Sequence, residues 1–126
     1  MRHFILALLV TIGVALPCSA QSPQLVSEFV SGWINGSVWS APATYYKDGG
    51  RVYLSGMIIK WPESGYFNDY AFVLPVGFRP QYDERYLAGA AGGSGIITVM
   101  ATGNVRVTSN SSLWLSLSGI NFLAAP

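Results

Sequence analysis

Charged side chains are scarce in this 126-residue chain, which contains seven basic and six acidic residues. They make up 10% of the sequence, whereas ordinary soluble domains carry about 25%. A nucleic-acid partner requires a strongly basic face, so this composition argues against nucleic-acid binding, and we predict no nucleic-acid partner. Apolar residues reach 51%, and a charge-poor, apolar surface associates readily, which predicts a homo-oligomer.

The N-terminal residues have the layout of a secretory signal. Residues 1–3 include a basic side chain, residues 4–16 are almost entirely apolar, and Pro17 precedes a run of small residues. This order is typical of a cleaved signal peptide, and the apolar run is shorter than the roughly 20 residues that span a membrane. We therefore predict a signal peptide over residues 1–20, a secreted or periplasmic location, and no membrane contact after cleavage. An uncleaved anchor and lipidation at Cys18 are the alternatives.

The residue types beyond position 20 exclude most catalytic and metal-binding chemistry. That part of the chain contains no histidine and no cysteine. It therefore lacks the imidazole base of Ser-His-Asp and Cys-His mechanisms, the usual zinc ligands, and any disulfide. We predict no enzyme activity, no cofactor and no metal. A glycan hydrolase that uses two carboxylates, drawn from Glu63, Asp69, Asp83 and Glu84, is a remote alternative.

After the signal, we predict a lead-in segment over residues 21–38, as a helical turn, an edge strand or a coil. The first strong pattern is a hairpin, in which residues 43–47 run up, an Asp-Gly-Gly turn follows, and residues 51–60 return. Asp-Gly and Gly-Gly accept the positive φ angles of tight hairpin turns. Both faces of the returning strand are largely apolar, which predicts burial on both sides, by the core and by a neighbouring subunit.

Short runs rich in Val, Ile, Leu, Tyr and Trp continue to the end of the chain, separated by Gly and Pro. This pattern is typical of a sandwich or barrel, and we predict an all-β fold, a small antiparallel β-sandwich that is jelly-roll-like, over residues 39–126. In the last run, Leu113, Leu115 and Leu117 face the core, and Gly119 shifts the phase so that Ile120 and Phe122 also point inward. The predicted elements before this run are a loop at 61–69, a strand at 70–74, a bend at 75–80, a strand at 85–88, a mobile glycine-rich stretch at 89–95, and strands at 96–101 and 105–108.

The predicted loop at 61–69 combines aromatic rings with amide and carboxylate groups. Flat rings suit the C–H faces of sugars, polar groups suit sugar hydroxyls, and loops commonly carry binding residues. We therefore predict a ligand-binding site in this loop. The alternative is that its aromatic residues belong to the core or to a subunit interface. The predicted ligand-binding residues are Trp61, Glu63, Tyr66, Phe67, Asn68 and Asp69.

Four segments carry a family resemblance. They are residues 46–56 around the Lys-Asp-Gly-Gly hairpin, residues 72–80 with the run Leu-Pro-Val-Gly-Phe-Arg-Pro, residues 103–107 and residues 115–122. In this order they resemble the C-terminal head modules of tailed-bacteriophage tail fibres and receptor-binding proteins. The resemblance implies an antiparallel β-sandwich, usually assembled as a trimer, that binds a bacterial surface saccharide or protein without enzyme activity.

The sequence and the resemblance together lead to two main hypotheses. The first is a secreted, non-enzymatic binding and attachment module, assembled as a homotrimer, that recognises a cell-surface glycan or protein. A virion-associated location also follows from the resemblance, although this module stands behind an export signal rather than behind a fibre shaft. The second hypothesis is a structural or assembly subunit without a ligand.

Overall fold

The computed structural model describes residues 22–36, 40–60, 67–109 and 114–126, apart from the side chain of Phe67. Within these ranges the chain forms eleven β-strands and no helix, so that part contains no helix able to cross a membrane. The predicted signal peptide lies outside the described residues. The strands are β1 (Gln24–Leu25), β2 (Trp33–Asn35), β3 (Thr44–Asp48), β4 (Arg51–Ser55), β5 (Met57–Lys60), β6 (Phe67–Val73), β7 (Glu84–Ala90), β8 (Gly93–Val99), β9 (Asn104–Ser109), β10 (Trp114–Ser116) and β11 (Asn121–Leu123).

These strands form two antiparallel sheets around one core. The smaller sheet has the strand order β1-β3-β4-β11, and the larger sheet has the order β2-β5-β10-β7-β8-β9-β6. Every ladder between named strands is antiparallel. Along β9 the buried residues Val105 and Val107 alternate with half-exposed ones, which is the period of two that a strand with one buried face requires. The predicted all-β, antiparallel sandwich is confirmed.

Strands β3 and β4 form the predicted hairpin, with Asp48 opposite Arg51. Gly49 and Gly50 lie between them, with φ angles of 59° and 82°. Two successive residues with positive φ make the tight turn whose twist matches that of the flanking strands, and glycine adopts this conformation at little cost. The Asp-Gly-Gly pattern therefore identified the turn, although Asp48 belongs to β3 and only the two glycines lie between the strands.

The prediction of one continuous strand over residues 51–60 is wrong. The chain turns at Gly56, whose φ is 90°, and it passes from β4 in the smaller sheet to β5 in the larger one. A side chain at this position is excluded, because a Cβ would collide with the carbonyl oxygen of Pro42. After the switch both predicted faces are buried, since Ile58 and Ile59 are 0% and 9% exposed.

The glycine-rich stretch at 89–95 is a regular hairpin rather than the predicted mobile segment. Gly89 pairs with Ser94 and Ala90 with Gly93, so β7 and β8 run almost to the turn. Backbone hydrogen bonds hold this ladder, and they need no side chain. Gly95 is moreover tightly enclosed, because a Cβ there would lie 2.8 Å from Leu115 Cδ2.

The last apolar run also divides between the two sheets. Strand β10 belongs to the larger sheet and β11 to the smaller, and Gly119 between them has a φ of 89°. The prediction that Gly119 turns later apolar residues inward is confirmed, since Ile120 and Phe122 are almost fully buried. These residues point inward because the chain changes sheet at Gly119, not because the phase shifts within one strand. Leu113 lies outside the described residues.

The larger sheet curls until its two edges meet. Residues just before β2 pair with β6, because Val73 N donates to Glu28 O at 3.1 Å and Val30 N donates to Ala71 O at 2.9 Å. Phe29 and Phe72 form an isolated bridge between these hydrogen bonds. Closing the curl satisfies backbone groups that a free edge would leave open. It also brings β2 and β6, the two ends of the strand order, side by side.

The core contains apolar side chains from both sheets. The largest fully buried ones are Trp33, Phe72 and Phe122, and burial of such a side chain stabilises a fold by about 1.5–3 kcal/mol. The described part of the lead-in contributes to this core through Val26 and Trp33. It also supplies β1 to one sheet and β2 to the other. The predicted limits of the lead-in and of the domain at 39–126 stay predictions.

Candidate functional site

The predicted ligand-binding loop is only partly within the described residues. Trp61, Glu63 and Tyr66 lie outside them, and Phe67 is described only as the first residue of β6. Asn68 and Asp69 belong to β6 rather than to a loop, because they pair with Thr108 and Val107 of β9. The prediction that the loop extends to residue 69 is therefore wrong, and the binding role of the six residues stays a prediction.

Asp69 connects three strands of the larger sheet. Its Oδ1 accepts a hydrogen bond of 2.9 Å from Trp33 Nε1 on β2, and its Oδ2 lies 2.6 Å from Lys60 Nζ on β5. The side chains of Lys60 and Asp69 are 16% and 30% exposed, so the ion pair is partly shielded from water. The geometry gives Asp69 a structural role, that of fixing the first residues of β6 against the opposite edge.

Asn68 lies on a different surface, which we call the outer face. This face is the solvent side of β6, β9, β8 and β7, where successive residues along each strand point alternately inward and outward. Its members are Asn68 and Tyr70 on β6, Arg106 and Thr108 on β9, Ser94, Ile96 and Thr98 on β8, and Arg85, Leu87 and Gly89 on β7.

The centre of the outer face is apolar. Leu87 and Ile96 are cross-strand neighbours, and they are 79% and 41% exposed. Two shallow grooves, of about 220 and 190 Å³, lie beside them, and both are lined by Leu87 and Ile96. Exposed apolar side chains that lie together, surrounded by polar ones, mark interaction surfaces more often than isolated apolar residues do.

The surroundings of this apolar centre are polar and positively charged. Arg85 and Arg106 lie on the outer face, and none of its members as defined is acidic. The Arg106 guanidinium carbon lies 5.4 Å from the ring centre of Tyr70, a distance at which the ring attracts the cation. Arg106 Nε is buried without a hydrogen-bond partner among the described residues. Because the Arg85 side chain is exposed, the outer face offers donors to a partner that carries acceptors.

Sequence reasoning missed this surface. The residues of β7 place small Ala88 and Ala90 inward and large Leu87 outward, which reverses the usual assignment of large apolar residues to the core. Only the pairing of β7 with β8 shows that Leu87 meets Ile96. Residues 86–90 read Tyr-Leu-Ala-Gly-Ala, so no alternation of large and small side chains in the sequence marks Leu87 as the exposed one.

A second aromatic surface lies on the smaller sheet. Tyr46 and Tyr53 are directly opposite each other on β3 and β4, and their rings stack with centres 5.0 Å apart at 13°. Beside them Arg51 Nη1 donates to Asn121 Oδ1 at 2.8 Å. Stacking covers one face of each ring, so this pair offers less open aromatic surface than two separate tyrosines.

The described carboxylates considered for hydrolysis make structural hydrogen bonds. Asp83 Oδ1 accepts from Ala101 N at 2.9 Å, and Glu84 Oε1 accepts from the Tyr86 hydroxyl at 3.1 Å. Burial, followed by the hydrogen bond to Glu84, raises the pKa of Tyr86 above its ordinary value. Across the described ranges, no group of three or more His, Cys, Asp or Glu side chains is placed to hold a metal ion.

The fold has a counterpart among solved structures. The chain is similar to the receptor binding protein gp15 of Listeria phage PSA, with a TM-score of 0.69 and 22% sequence identity over 97% of this chain and 75% of that chain. At this identity the likeness establishes the fold. No protein-family model and no curated protein sequence matches the chain significantly. The resemblance to phage receptor-binding modules is therefore confirmed for the fold: the chain shares the architecture of a phage receptor-binding protein.

Proposed function

We propose that this protein is a non-enzymatic attachment module that recognises a cell-surface receptor through its outer face. The observation that carries the proposal is the exposed pair Leu87 and Ile96 at the centre of that face, 79% and 41% exposed. An apolar centre with a polar rim is the usual anatomy of a recognition surface. The fold shared with a protein named as receptor binding supports the same function.

The proposed receptor is a glycan or a protein on a cell surface. The outer face offers Tyr70, Arg106 and Asn68 as ring, donor and amide groups, and such groups serve both kinds of receptor. Asn68 also connects this face with the predicted loop, because it is one of the residues predicted there and it lies on the outer face. We include the loop in the proposed site. Its proposed residues are Trp61, Glu63, Tyr66, Phe67, Asn68 and Asp69, with Asp69 acting through its contacts to Trp33 and Lys60.

We further propose a homotrimer located outside the cytoplasm, either as a secreted or periplasmic protein or as a virion component. Low charge and exposed apolar residues outside the outer face, such as Val76 and Tyr82, support self-association. Light scattering on the full chain measures the mass directly. A mass of three chains is the expected result, and a stable monomer contradicts this part of the proposal.

The decisive experiment compares two leucines on opposite sheets. Leu87→Asp places a charge at the centre of the outer face, whereas Leu123→Asp changes β11 of the smaller sheet at a residue that is 60% exposed. The full chain and both variants are applied to whole bacterial cells and to a glycan array. We expect capture by Leu87→Asp to be about ten-fold weaker or more, as for a central interface residue, and capture by Leu123→Asp to be unchanged.

Circular dichroism and urea unfolding of the same samples show whether either variant has lost its fold. A folded Leu87→Asp protein with undiminished capture contradicts the proposed site. The same apolar face also suits a subunit interface, which favours the structural hypothesis as the second candidate. In that case Leu87→Asp lowers the mass measured by light scattering, and the parent protein captures no cell and no glycan.

A further inference from the structure

A cleft of about 450 Å³ opens on a part of the molecule that does not include the outer face. Three segments line it: residues 27–28 before β2, Tyr45 of β3, and residues 73–75 together with Arg79. The cleft therefore lies where the smaller sheet meets the closing edge of the larger one. Its volume is within the range of about 300–1,000 Å³ that is typical of small-molecule sites.

Arg79 is held in place on one side of this cleft. Its Nε donates a hydrogen bond of 2.8 Å to the carbonyl oxygen of Leu74. The guanidinium packs against Gly103, where an added Cβ would lie 2.8 Å from Arg79 Cζ. The two terminal nitrogens have no hydrogen-bond partner among the described residues. They thus provide donors whose position is already set before any ligand binds.

Glu28 supplies the complementary groups. Its backbone carbonyl accepts from Val73 N in the closing ladder, which fixes the main chain, while its side chain is exposed. Within the described part of the chain the carboxylate forms no ion pair with Arg79. Two opposite charges therefore line one cleft without neutralising each other directly, and their sum is zero.

We infer that this cleft binds the ring of a neutral sugar residue. Hydroxyl groups both donate and accept, so one polyol can accept from Arg79 and donate to Glu28. The zero net charge of the two residues favours an uncharged ligand over an anion or a cation. Val73 and Pro75 add apolar side chains to the lining of the cleft, which suits the C–H groups of a sugar ring.

This site goes beyond the proposed function, because it lies on residues outside the outer face and does not depend on recognition by that face. The test is an NMR titration of the ¹⁵N-labelled full chain with glucose, galactose and N-acetylglucosamine. The Arg79 Nε–H signal and the amides of Ser27, Glu28 and Val73 are the reporters. We expect saturable shifts confined to these residues for at least one sugar, with a dissociation constant on the order of 1–10 mM, as for a single small ring.

Three variants test the assignment. Glu28→Gln removes the charged acceptor, and we expect binding about ten-fold weaker. The amide oxygen of Gln can still accept a hydrogen bond, so a second variant is needed in case Glu28→Gln retains binding. Ser27→Trp fills the cleft from an exposed position, and we expect it to abolish binding. Asp48→Asn changes an exposed carboxylate in the β3–β4 hairpin and leaves binding unchanged.

Several results overturn the inference. They are the absence of shifts with all three sugars, shifts located on the outer face, equal affinity in Ser27→Trp, and tighter binding of the zwitterion glycine betaine than of any sugar. Leu87→Asp separates this site from the proposed function. We expect it to weaken cell capture while the sugar titration stays the same.

Discussion

Trp33 Nε1 donates a hydrogen bond of 2.9 Å to Asp69 Oδ1, and this bond joins β2 to β6, the two ends of the strand order in the larger sheet. Lys60 adds the second contact to the same carboxylate. The residues are 36 positions apart in the chain, so the bond forms only when the sheet has curled. One carboxylate thereby supports the closed edge on which residues before β2 pair with β6.

Replacing Asp69 is expected to destabilise the fold. Asp69→Ala removes an acceptor from the buried Trp33 indole and an anion from Lys60, which costs about 1–3 kcal/mol for a buried hydrogen-bonded group. Asp69→Asn retains an oxygen that accepts from Trp33, so we expect it to lose less stability than Asp69→Ala. Urea unfolding measures both free energies. Asp48→Asn is the control. Equal unfolding free energies for Asp69→Ala and Asp48→Asn would show that the contacts of Asp69 do not stabilise the closed sheet.

The change of sheet at Gly56 leads to a second prediction. Gly56 and Gly119 have φ angles of 90° and 89°, but a Cβ at Gly56 would collide with Pro42, whereas nothing lies within 4 Å of a Cβ at Gly119. Gly119→Ala is expected to cost about 1–2 kcal/mol for the left-handed backbone alone. Gly56→Ala is expected to lose clearly more unfolding free energy than Gly119→Ala, or to fail to fold. Matching losses in thermal or urea unfolding refute the steric argument.

Gly103 and Gly77 form a second matched pair, with φ angles of 94° and 95°. A Cβ at Gly103 would collide with Arg79 and lie 2.6 Å from Leu74 O, whereas one at Gly77 meets only Lys47 Nζ at an ordinary 3.8 Å. Gly103→Ala is therefore expected to displace the Arg79 guanidinium and to cost more stability than Gly77→Ala. The Arg79 Nε–H resonance reports the displacement. An unshifted resonance in Gly103→Ala contradicts the proposed packing.

The partly buried Tyr86 hydroxyl leads us to predict that the protein loses stability at alkaline pH. Its hydroxyl oxygen lies 3.0 Å from Asn121 O and 3.1 Å from Glu84 Oε1, so these two acceptors share its single hydrogen. Burial raises the pKa of Tyr86 above the ordinary value near 10. In the unfolded chain the phenol ionises first, so the stability that this group contributes is complete below about pH 10 and is lost as the pH rises toward the folded pKa.

Tyr86→Phe removes this dependence. The difference in unfolding free energy between the parent protein and Tyr86→Phe is expected to shrink from about pH 9 to about pH 11. Urea unfolding at several pH values measures it. Tyr82→Phe is the control, because Tyr82 is 73% exposed. A difference that stays constant over this range contradicts the assignment of the alkaline dependence to Tyr86.

Local features of the fold could be predicted because their causes are local. The turn at Gly49 and Gly50 follows from two residues that accept positive φ, and the alternation of Leu115 and Leu117 follows from the pleat of a strand. The change of sheet at Gly56 escaped prediction, because the apolar pattern continues unbroken through it. The glycine that interrupts the strand is required by Pro42, a contact between segments that no local periodicity reveals.

The candidate site shows the same division. Asn68 was predicted as a ligand-binding residue from its neighbours in the sequence; the structure places it on the outer face, and its binding role stays a prediction. Leu87 and Ile96 were not identified, since their contact depends on the register of β7 against β8. Asp69 was identified for its carboxylate, but its partners Trp33 and Lys60 come from two other strands.

The sequence alone determined the all-β class, the hairpin turn, the exclusion of histidine and cysteine chemistry beyond residue 20, and the resemblance to phage receptor-binding modules. These depend on residue types and on spacing within a few positions. Tertiary structure alone decided which strands share a sheet, which apolar residues stay outside, and which charges line the cleft at Arg79 and Glu28. The reason is physical: those properties arise from backbone pairing between distant segments, and many side-chain patterns are compatible with each pairing.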